Sequence, residues 1–355
     1  MLGIETSCDE TSAAVVEETD GVWTIQSNVV SSQVNIHREW GGVVPELASR
    51  QHIRDICGVV RAALETASVD WTGIDAIAVT QGPGLVGSLL VGVSFAKSVA
   101  LSLSRPLVPV HHLAGHIESL FLQQGRAASI PLPLAALVVS GGHTSLYLVR
   151  APGSYERVGR TRDDAAGEAY DKVAKLLGLG YPGGPVVDTL AREGDDRAID
   201  FPATRMTHAD RNAPAMKGDL DFSFSGLKTA VMRHVKARAA VAADGTVASG
   251  FSRTEIADIC ASFQRVVVDT LLDRLFDAAD RFDARSVGIA GGVSANSRLR
   301  RDLAARGERC SLPVFIPDLS LSTDNAAMIA AAGLRNFHAG VRAGWDLNAD
   351  ASLEL

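Results

Sequence analysis

The sequence predicts an α/β protein built from two lobes, on three observations. Short apolar runs with strand character alternate with helix-periodic segments along the chain. One layout, an apolar strand, a small polar turn and a second strand, occurs twice, in GIETSCDETSAAVV at residues 3–16 and LVVSGGHTSLYLV at 137–149. Several apolar runs end in glycine-rich turns. No fixed short period accompanies the echo, which argues against a solenoid. Hairpins repeated about 130 residues apart suggest related lobes around a cleft, with turn N–H groups offered to an anion. Taken alone, the pair also fits two ordinary hairpins.

The elements follow in order. Residues 2–5 and 12–17 read as strands around a polar turn. Residues 76–80 form a short apolar strand that leads through Gln81-Gly82-Pro83-Gly84 into a helix over 86–103. The apolar run 107–110 precedes a helical pattern over 117–123. Residues 134–140 and 144–149 form a strand–turn–strand, and 285–290 a strand that ends at Gly291-Gly292. A helix follows over 296–306, and a last helical run covers 326–337. The Ala- and Gly-rich stretch 239–250 reads as a surface loop, and 340–355 as a poorly packed tail.

Composition bounds the function. The 355 residues are 46% hydrophobic and 21% charged, ordinary globular values that exclude dominant disorder. A net charge of −7 argues against a self-sufficient, sequence-blind nucleic-acid binder but allows a local basic face. Glycine is enriched, 33 residues or about 9%. Cys8, Cys57, Cys260 and Cys310 form no C-x-x-C pair, which fits free thiols in a reducing cytosol. The N-terminus, MLGIETSCDE, has neither a basic n-region nor an apolar h-region. Residues 76–96 and 127–149 carry no charge and are long enough to span a bilayer. Their Gly and Pro interruptions fit buried strand–turn–helix units better, so the expectation is a soluble, cytoplasmic protein without a membrane segment.

Five constellations carry possible chemistry. In His111-His112-Leu113-Ala114-Gly115-His116, a helix would put His112 and His116 on one face, within reach of one ion. Two ordinary helix histidines have the same spacing, and Leu113 stands where the glutamate of H-E-x-x-H would be. Asp324 is able to complete a two-histidine, one-carboxylate site, although Thr323 or Asp324 also suits a helix cap. Glycine turns at 82–84, 140–143, 183–185 and 291–292 suit phosphate oxygens, but none matches a P-loop or dinucleotide fingerprint. Asp163, Asp164, Glu168 and Asp171 stand at helical spacing, to bind ribose hydroxyls, orient a ligand or line a solvated face; Asp188 is similar. Residues 228–238 hold Lys228, Arg233, Lys236 and Arg238 without an acid, and 281–310 hold seven Arg against three acids. Either segment suits an RNA backbone or simply a solvated face.

Together these segments carry a family resemblance. The two echoed hairpins are joined by GGVVPELASRQH at 41–52, TQGPGLVGSLLVG at 80–92, PVHHLAGHI at 109–117 and DDAAGEAYDKVAKLLGLGYPGGP at 163–185. DFSFSGLKTA at 221–230, GIAGGVSANSRLR at 288–300 and TDNAAMIA at 323–330 complete the set. In consistent order from residue 2 to about 337, the chain resembles the bacterial tRNA N6-adenosine threonylcarbamoyltransferases, a family once labelled O-sialoglycoprotein endopeptidase.

The resemblance implies a two-lobed fold of the actin-like ATPase, Hsp70 and sugar-kinase superfamily with a nucleotide cleft between lobes. Residues 1–130 with 325–355 would form one lobe and 131–324 the other. The implied reaction moves threonylcarbamoyl from threonylcarbamoyl-AMP to N6 of adenosine 37 in tRNAs that read codons beginning with adenine. The resemblance places one divalent metal, iron(II) ahead of zinc(II), on His112, His116 and Asp324. It places substrate and adenine-nucleotide contacts on Val138, Val139, Ser140, Gly141, Gly142, Asp171, Gly184, Asp188 and Asn296. No catalytic base is assigned; Asp9 and Glu10 are candidates to take the N6 proton. Implied partners are tRNA, an inactive paralogue of the same fold and a P-loop ATPase. Ser322 and Ser104 depart from the family pattern, which usually has Cys at the first and Asp, Asn or a similar residue at the second. Rival readings are a metalloprotease, an ATP-dependent small-molecule kinase and a non-catalytic subunit.

Overall fold

A computed structural model describes residues 1–123, 130–206, 218–238 and 250–355. The loop expected at 239–250 therefore lies almost wholly outside the described residues. The chain opens with β1 (Leu2–Glu5), β2 (Glu10–Thr19) and β3 (Val22–Ser32). The sequence reading missed β3, whose exposed and half-buried positions mark it as a sheet edge without a continuous apolar face. A single turn α1 (Val34–His37) precedes α2 (Pro45–Thr66), which starts with proline at its first position, where a missing N–H costs nothing.

Next come β4 (Ile77–Gly82), α3 (Val86–Leu103), β5 (Leu107–His111) and α4 (His112–Gln123). Ser104 ends α3 at φ 53°, in the left-handed region that short polar side chains tolerate. By length and composition α3 would cross a membrane, the one such helix among the described residues. Its Val93, Ala96 and Ala100 are nonetheless core residues, packed in one cluster with Leu2, Ile4 and Val79.

The second half has β6 (Leu134–Val139), β7 (Thr144–Ala151), β8 (Ser154–Arg160), α5 (Ala166–Leu176) and α6 (Gly183–Ala191). It continues with α7 (Ser225–Lys236), α8 (Arg253–Arg281), β9 (Ser286–Ala290), α9 (Ser297–Cys310) and β10 (Val314–Phe315). The short α10 (Leu319–Ser322) and α11 (Ala326–His338) end the helices.

Two five-stranded sheets result, ordered β3-β2-β1-β4-β5 and β10-β9-β6-β7-β8. Read from opposite ends, the orders correspond. The echoed hairpins β1–β2 and β6–β7 each supply the central strand and its neighbour. In the first sheet β1 pairs antiparallel with β2 and parallel with β4; in the second, β6 pairs parallel with β9.

Contacts divide the chain into two compact units. One holds residues 1–131, 149–155 and 317–355, and the other 132–148 and 156–316. Relative to the lobes implied by the resemblance, 149–155 and 317–324 fall with the first unit.

The tail beyond 340 differs from expectation. Its side chains are mostly exposed, but its backbone is pinned within the first unit. Ala343 N–H donates to the Leu107 carbonyl (2.9 Å), Asp350 N–H to that of Gln81 (2.9 Å), and Gly84 N–H to that of Ala351 (3.3 Å). The approach is close enough to require glycine at 82, where a Cβ would lie 1.8 Å from the Asp350 carbonyl oxygen. Gly82→Ala should therefore dislodge the tail, at a cost of about 1–3 kcal/mol, typical of an overpacked contact. Limited proteolysis and thermal unfolding check this. Faster cleavage after residue 340 with a lowered midpoint is expected, and unchanged digestion would refute it.

Candidate functional site

The site in the first unit is built at the start of α4. His111 closes β5, and its Nδ1 accepts the Leu113 N–H (3.1 Å), an N-cap interaction. Its Nε2–H donates to the Leu353 carbonyl (3.0 Å), so the pinned tail helps hold this ring. The helical rise then stacks His112 and His116 one turn apart, with ring centroids 4.8 Å apart and planes at 81°. Asp324 reaches them from the α10–α11 junction. Its Oδ1 lies 3.6 Å from His112 Nε2 and 3.2 Å from His116 Nε2. Neither Thr323 nor Asp324 caps α11. Asn325 does so, accepting the Met328 N–H (3.1 Å), which leaves the Asp324 carboxylate to the histidines. Ser322 is buried and its hydroxyl donates to the Asp318 carbonyl (3.0 Å).

Electrostatics set the protonation of this cluster. Burial opposes a charge on His112, but the Asp324 and Glu5 carboxylates outweigh it and push its pKa up to about 9. Burial raises the Glu5 pKa, yet His112 and the Ser7 N–H hold it below the ordinary glutamate value. The turn at residues 8–10 is fastened by buried His52. Its Nε2–H donates to the Cys8 carbonyl (3.0 Å) and its Nδ1 accepts from the Thr11 hydroxyl (2.8 Å). Within this turn, burial and the neighbouring Asp9 and Asp324 charges hold the Glu10 carboxyl well above the usual range.

His116 is fully buried, and neither ring nitrogen makes a hydrogen bond among the described residues. A buried imidazole so placed requires a partner. One ligand atom from each of His112, His116 and Asp324 lies within 4.8 Å of the others. Two imidazoles and one carboxylate form a donor set that suits iron(II) or zinc(II) with positions left open. The residues therefore fit a divalent metal.

The residues predicted to contact substrate and nucleotide all fall in the second unit. Val138 and Val139 end buried β6, and Ser140, Gly141 and Gly142 turn into β7. The turn closes on itself: Ser140 N–H donates to the His143 carbonyl (2.8 Å), and His143 N–H to Ser140 Oγ (3.2 Å). Ser140 N–H is thus spent, contrary to an anion-binding role for it. The exposed Gly141 and Gly142 N–H groups make no hydrogen bond among the described residues. Helix α5 packs closely under this turn, and a Cβ on Gly167 would lie 2.6 Å from the Ser140 carbonyl oxygen.

Asp171, on α5, accepts the Gly183 N–H (2.7 Å) and so fixes the start of α6, where Gly184 has open space around it. Asp188 accepts from Gln264 Nε2 (3.1 Å), Ser297 Oγ (2.8 Å), Ser297 N–H (3.3 Å) and the Arg192 guanidinium (2.9 Å). Asn296 caps α9 through the Leu299 N–H (3.0 Å) and donates to Gln264 Oε1 (2.8 Å) and the Tyr170 hydroxyl (3.4 Å). Sequence reading missed Gln264, the residue that joins Asp188 to Asn296. The available signal was a lone amide in the apolar run of α8.

The carboxylates at 163–171 do not share one helix face. Asp163 and Asp164 precede α5. Asp163 accepts from the Ser223 and Ser225 hydroxyls (2.6 and 2.7 Å), and Asp164 binds Lys172 and Lys228 (2.8 and 2.7 Å). Many basic side chains are likewise neutralised. Arg281, Arg298, Arg301 and Arg306 pair with Asp219, Asp196, Asp302 and Asp273.

The two sheets of matching order define the class, an α/β protein of the actin-like ATPase fold. Solved structures agree. Full-length HypF in a phosphate- and nucleotide-bound form aligns over 94% of this chain and 54% of its own, with TM-score 0.56 and 14% identity. The activator of 2-hydroxyisocaproyl-CoA dehydratase from Clostridium difficile, with bound ADPNP, aligns over 96% and 97%, with TM-score 0.50 and 13% identity. The family is narrower. The model described as tRNA N6-adenosine threonylcarbamoyltransferase matches residues 24–331. Proteins of that name from Anaeromyxobacter sp. (strain Fw109-5) and Koribacter versatilis are 52% and 50% identical to this chain. Each alignment covers 100% of this chain, and 99% and 98% of the relative. The chain belongs to the tRNA N6-adenosine threonylcarbamoyltransferase family, and it is a transferase of that kind.

The raised His112 pKa fixes a pH dependence. A metal competes with the His112 proton, so apparent zinc affinity of the metal-free protein should rise about tenfold per pH unit from 6.5 to 8.5. Without metal the sign reverses for stability. A histidine whose pKa is raised by folding stabilises fully below the unfolded value, and that contribution fades as pH rises through about 9. Competition titration against a chelator and pH-dependent unfolding check the two trends. A pH-independent zinc affinity would contradict them.

Proposed function

We propose that this enzyme moves the threonylcarbamoyl group from threonylcarbamoyl-AMP to N6 of adenosine 37 in tRNAs that read codons beginning with adenine. The reading rests on identity of about 50% to transferases of this name along the whole chain. The gathered His112, His116 and Asp324 side chains agree with it.

Exocyclic N6 is a weak nucleophile because its lone pair is delocalised into the ring. The donor is already activated as a mixed anhydride, so orientation is the main demand on the protein. In the transfer, N6 bonds to the carbamoyl carbon, the bond from that carbon to the phosphate oxygen breaks, and AMP leaves with the electron pair. The N6 proton passes to a base. Asp9 and Glu10, in the turn after β1, are the candidates for that role. His112, His116 and Asp324 would hold the divalent ion, iron(II) ahead of zinc(II), which when bound supplies Lewis-acid polarisation of carbamoyl or phosphate oxygens.

In the second unit, the Gly141 and Gly142 N–H groups offer donors to anionic oxygens. Val138 and Val139 set that turn at the end of β6. Asp171 and the open backbone at Gly184 suit the nucleoside. Asp188 and Asn296 have their side chains engaged internally, and both act by fixing the start of α9. With a net charge of −7 and many arginines paired, tRNA docking relies on partner subunits, an inactive paralogue and a P-loop ATPase, in the cytoplasm. The peptidase reading loses support on α4. Its one acidic residue, Glu118, is buried and already holds Arg335 (2.6 Å) and the Tyr155 hydroxyl (2.6 Å).

The test combines purified protein, threonylcarbamoyl-AMP, unmodified tRNA and both partners, followed by nucleoside mass spectrometry. Modified adenosine should form only in the complete mixture and decline with added salt. His112→Ala should slow transfer about 100-fold or more. No product in the complete mixture would overturn the function; His112→Ala transferring at full rate would overturn the metal's role.

A further inference from the structure

We propose that Glu5 is a positioning residue for the metal site, its buried carboxylate holding the Nδ1–H of His112 so that Nε2 faces the ion. The inference rests on the metal reading above and assigns a role to a side chain outside the ligand set.

Strand geometry brings Glu5 there. Side chains alternate along β1. Leu2 and Ile4 enter the core with α2 and α3, whereas a Cβ on Gly3 would point at Ala326 and Ala330 of α11. Glu5 follows Gly3 by two residues and so faces the α11 side, toward His112. The parallel register of β1 with β4, Ile4 beside Val79, then sets Thr80 next to Glu5.

A carboxylate with no solvent exposure is costly unless its lone pairs are filled. The Ser7 N–H and the Thr80 hydroxyl (2.8 Å) donate to Glu5, and His112 Nδ1 lies 3.1 Å from its Oε2. Both Glu5 oxygens already accept hydrogen bonds, which makes the group an acceptor toward His112, so Nδ1 carries the hydrogen. Ser7 Oγ, 3.3 Å from the same nitrogen, is able to accept as well. The lone pair of neutral His112 is then on Nε2, the atom that faces Asp324. Metal-bound histidines commonly use their second nitrogen this way, and the partner sets both tautomer and ring orientation. His116 has no such partner; its Nδ1 makes no hydrogen bond among the described residues. The two ligands are therefore unequal. His112 is preset by Glu5, whereas His116 is held by burial and by its approach to Asp324.

An amide at position 5 reverses the polarity. In Glu5→Gln the amide nitrogen can donate to Nδ1, moving the ring proton to Nε2 and blocking the ligand lone pair. The test titrates metal-depleted full-length protein with cobalt(II), read by visible absorption, for wild type, Glu5→Gln, Thr80→Val and Glu118→Gln. Glu118→Gln perturbs another buried carboxylate of the same unit that does not touch the ligands.

Glu5→Gln should weaken cobalt binding about 10- to 100-fold, with Thr80→Val affected less and Glu118→Gln unchanged. Zinc-loaded wild type should show a hydrogen on His112 Nδ1 by two-dimensional nitrogen–hydrogen NMR. That spectrum decides the point even if Glu5→Gln fails to fold. Folded Glu5→Gln with wild-type cobalt affinity, or zinc on His112 Nδ1, would overturn the assignment of Glu5. Wild type that binds no cobalt or zinc would overturn the metal reading beneath it. None of these readouts depends on threonylcarbamoyl transfer.

Discussion

The contact between Glu5 and His112 is the constraint around which the first unit is arranged. A fully buried carboxylate beside a fully buried imidazole is tolerable only if each polar atom has a partner. Meeting that demand draws on several elements at once. β1 supplies Glu5, β4 supplies Thr80, the residues after β1 supply the Ser7 N–H, and α4 supplies His112. The same start of α4 is held from the other side by His111 and the carbonyl of Leu353. The helix that carries His112 and His116 is thus fixed by side chains and backbone from distant parts of the sequence.

The second unit answers its own version of the problem. Asp188, Gln264, Asn296 and Tyr170 are buried polar residues, and they satisfy one another in a chain of hydrogen bonds. That chain ties α6, α8, α9 and α5 together. The turn between β6 and β7 uses its inner polar groups for closure and keeps two glycine N–H groups outward. Such N–H groups are donors at fixed positions, which suits an anionic ligand more than a variable one.

Much of this was legible in the sequence, and the failures share a cause. The helix expected near 86–103 is α3, because a largely apolar segment after a glycine turn leaves few alternatives. The i, i+4 spacing of His112 and His116 translated directly into a shared helix face. The echo of two hairpins became two sheets of matching strand order. What escaped depends on partners far away in the chain. Glu5 looks like any strand-end glutamate until His112 stands beside it, and Gln264 is one amide in a long amphipathic helix. The tail beyond 340 lacks apolar periodicity because it is held by backbone bonds, which leave no compositional trace. Asn325 displaced Thr323 and Asp324 as the helix cap because all three suit the role by type, and geometry alone selects among them.

The net charge of −7 also reads differently against the structure. Arginines that look like a basic face in sequence are largely engaged with aspartates of the same unit, so local charge is more balanced than a count suggests. The central claim is that His112, His116 and Asp324 form a single metal centre. Anomalous diffraction from crystals of the metal-loaded full-length protein tests it most directly. One strong peak is expected within bonding distance of the Nε2 atoms of His112 and His116 and of an Asp324 carboxylate oxygen. A peak that touches at most one of these three, or one bound through His112 Nδ1, would contradict it.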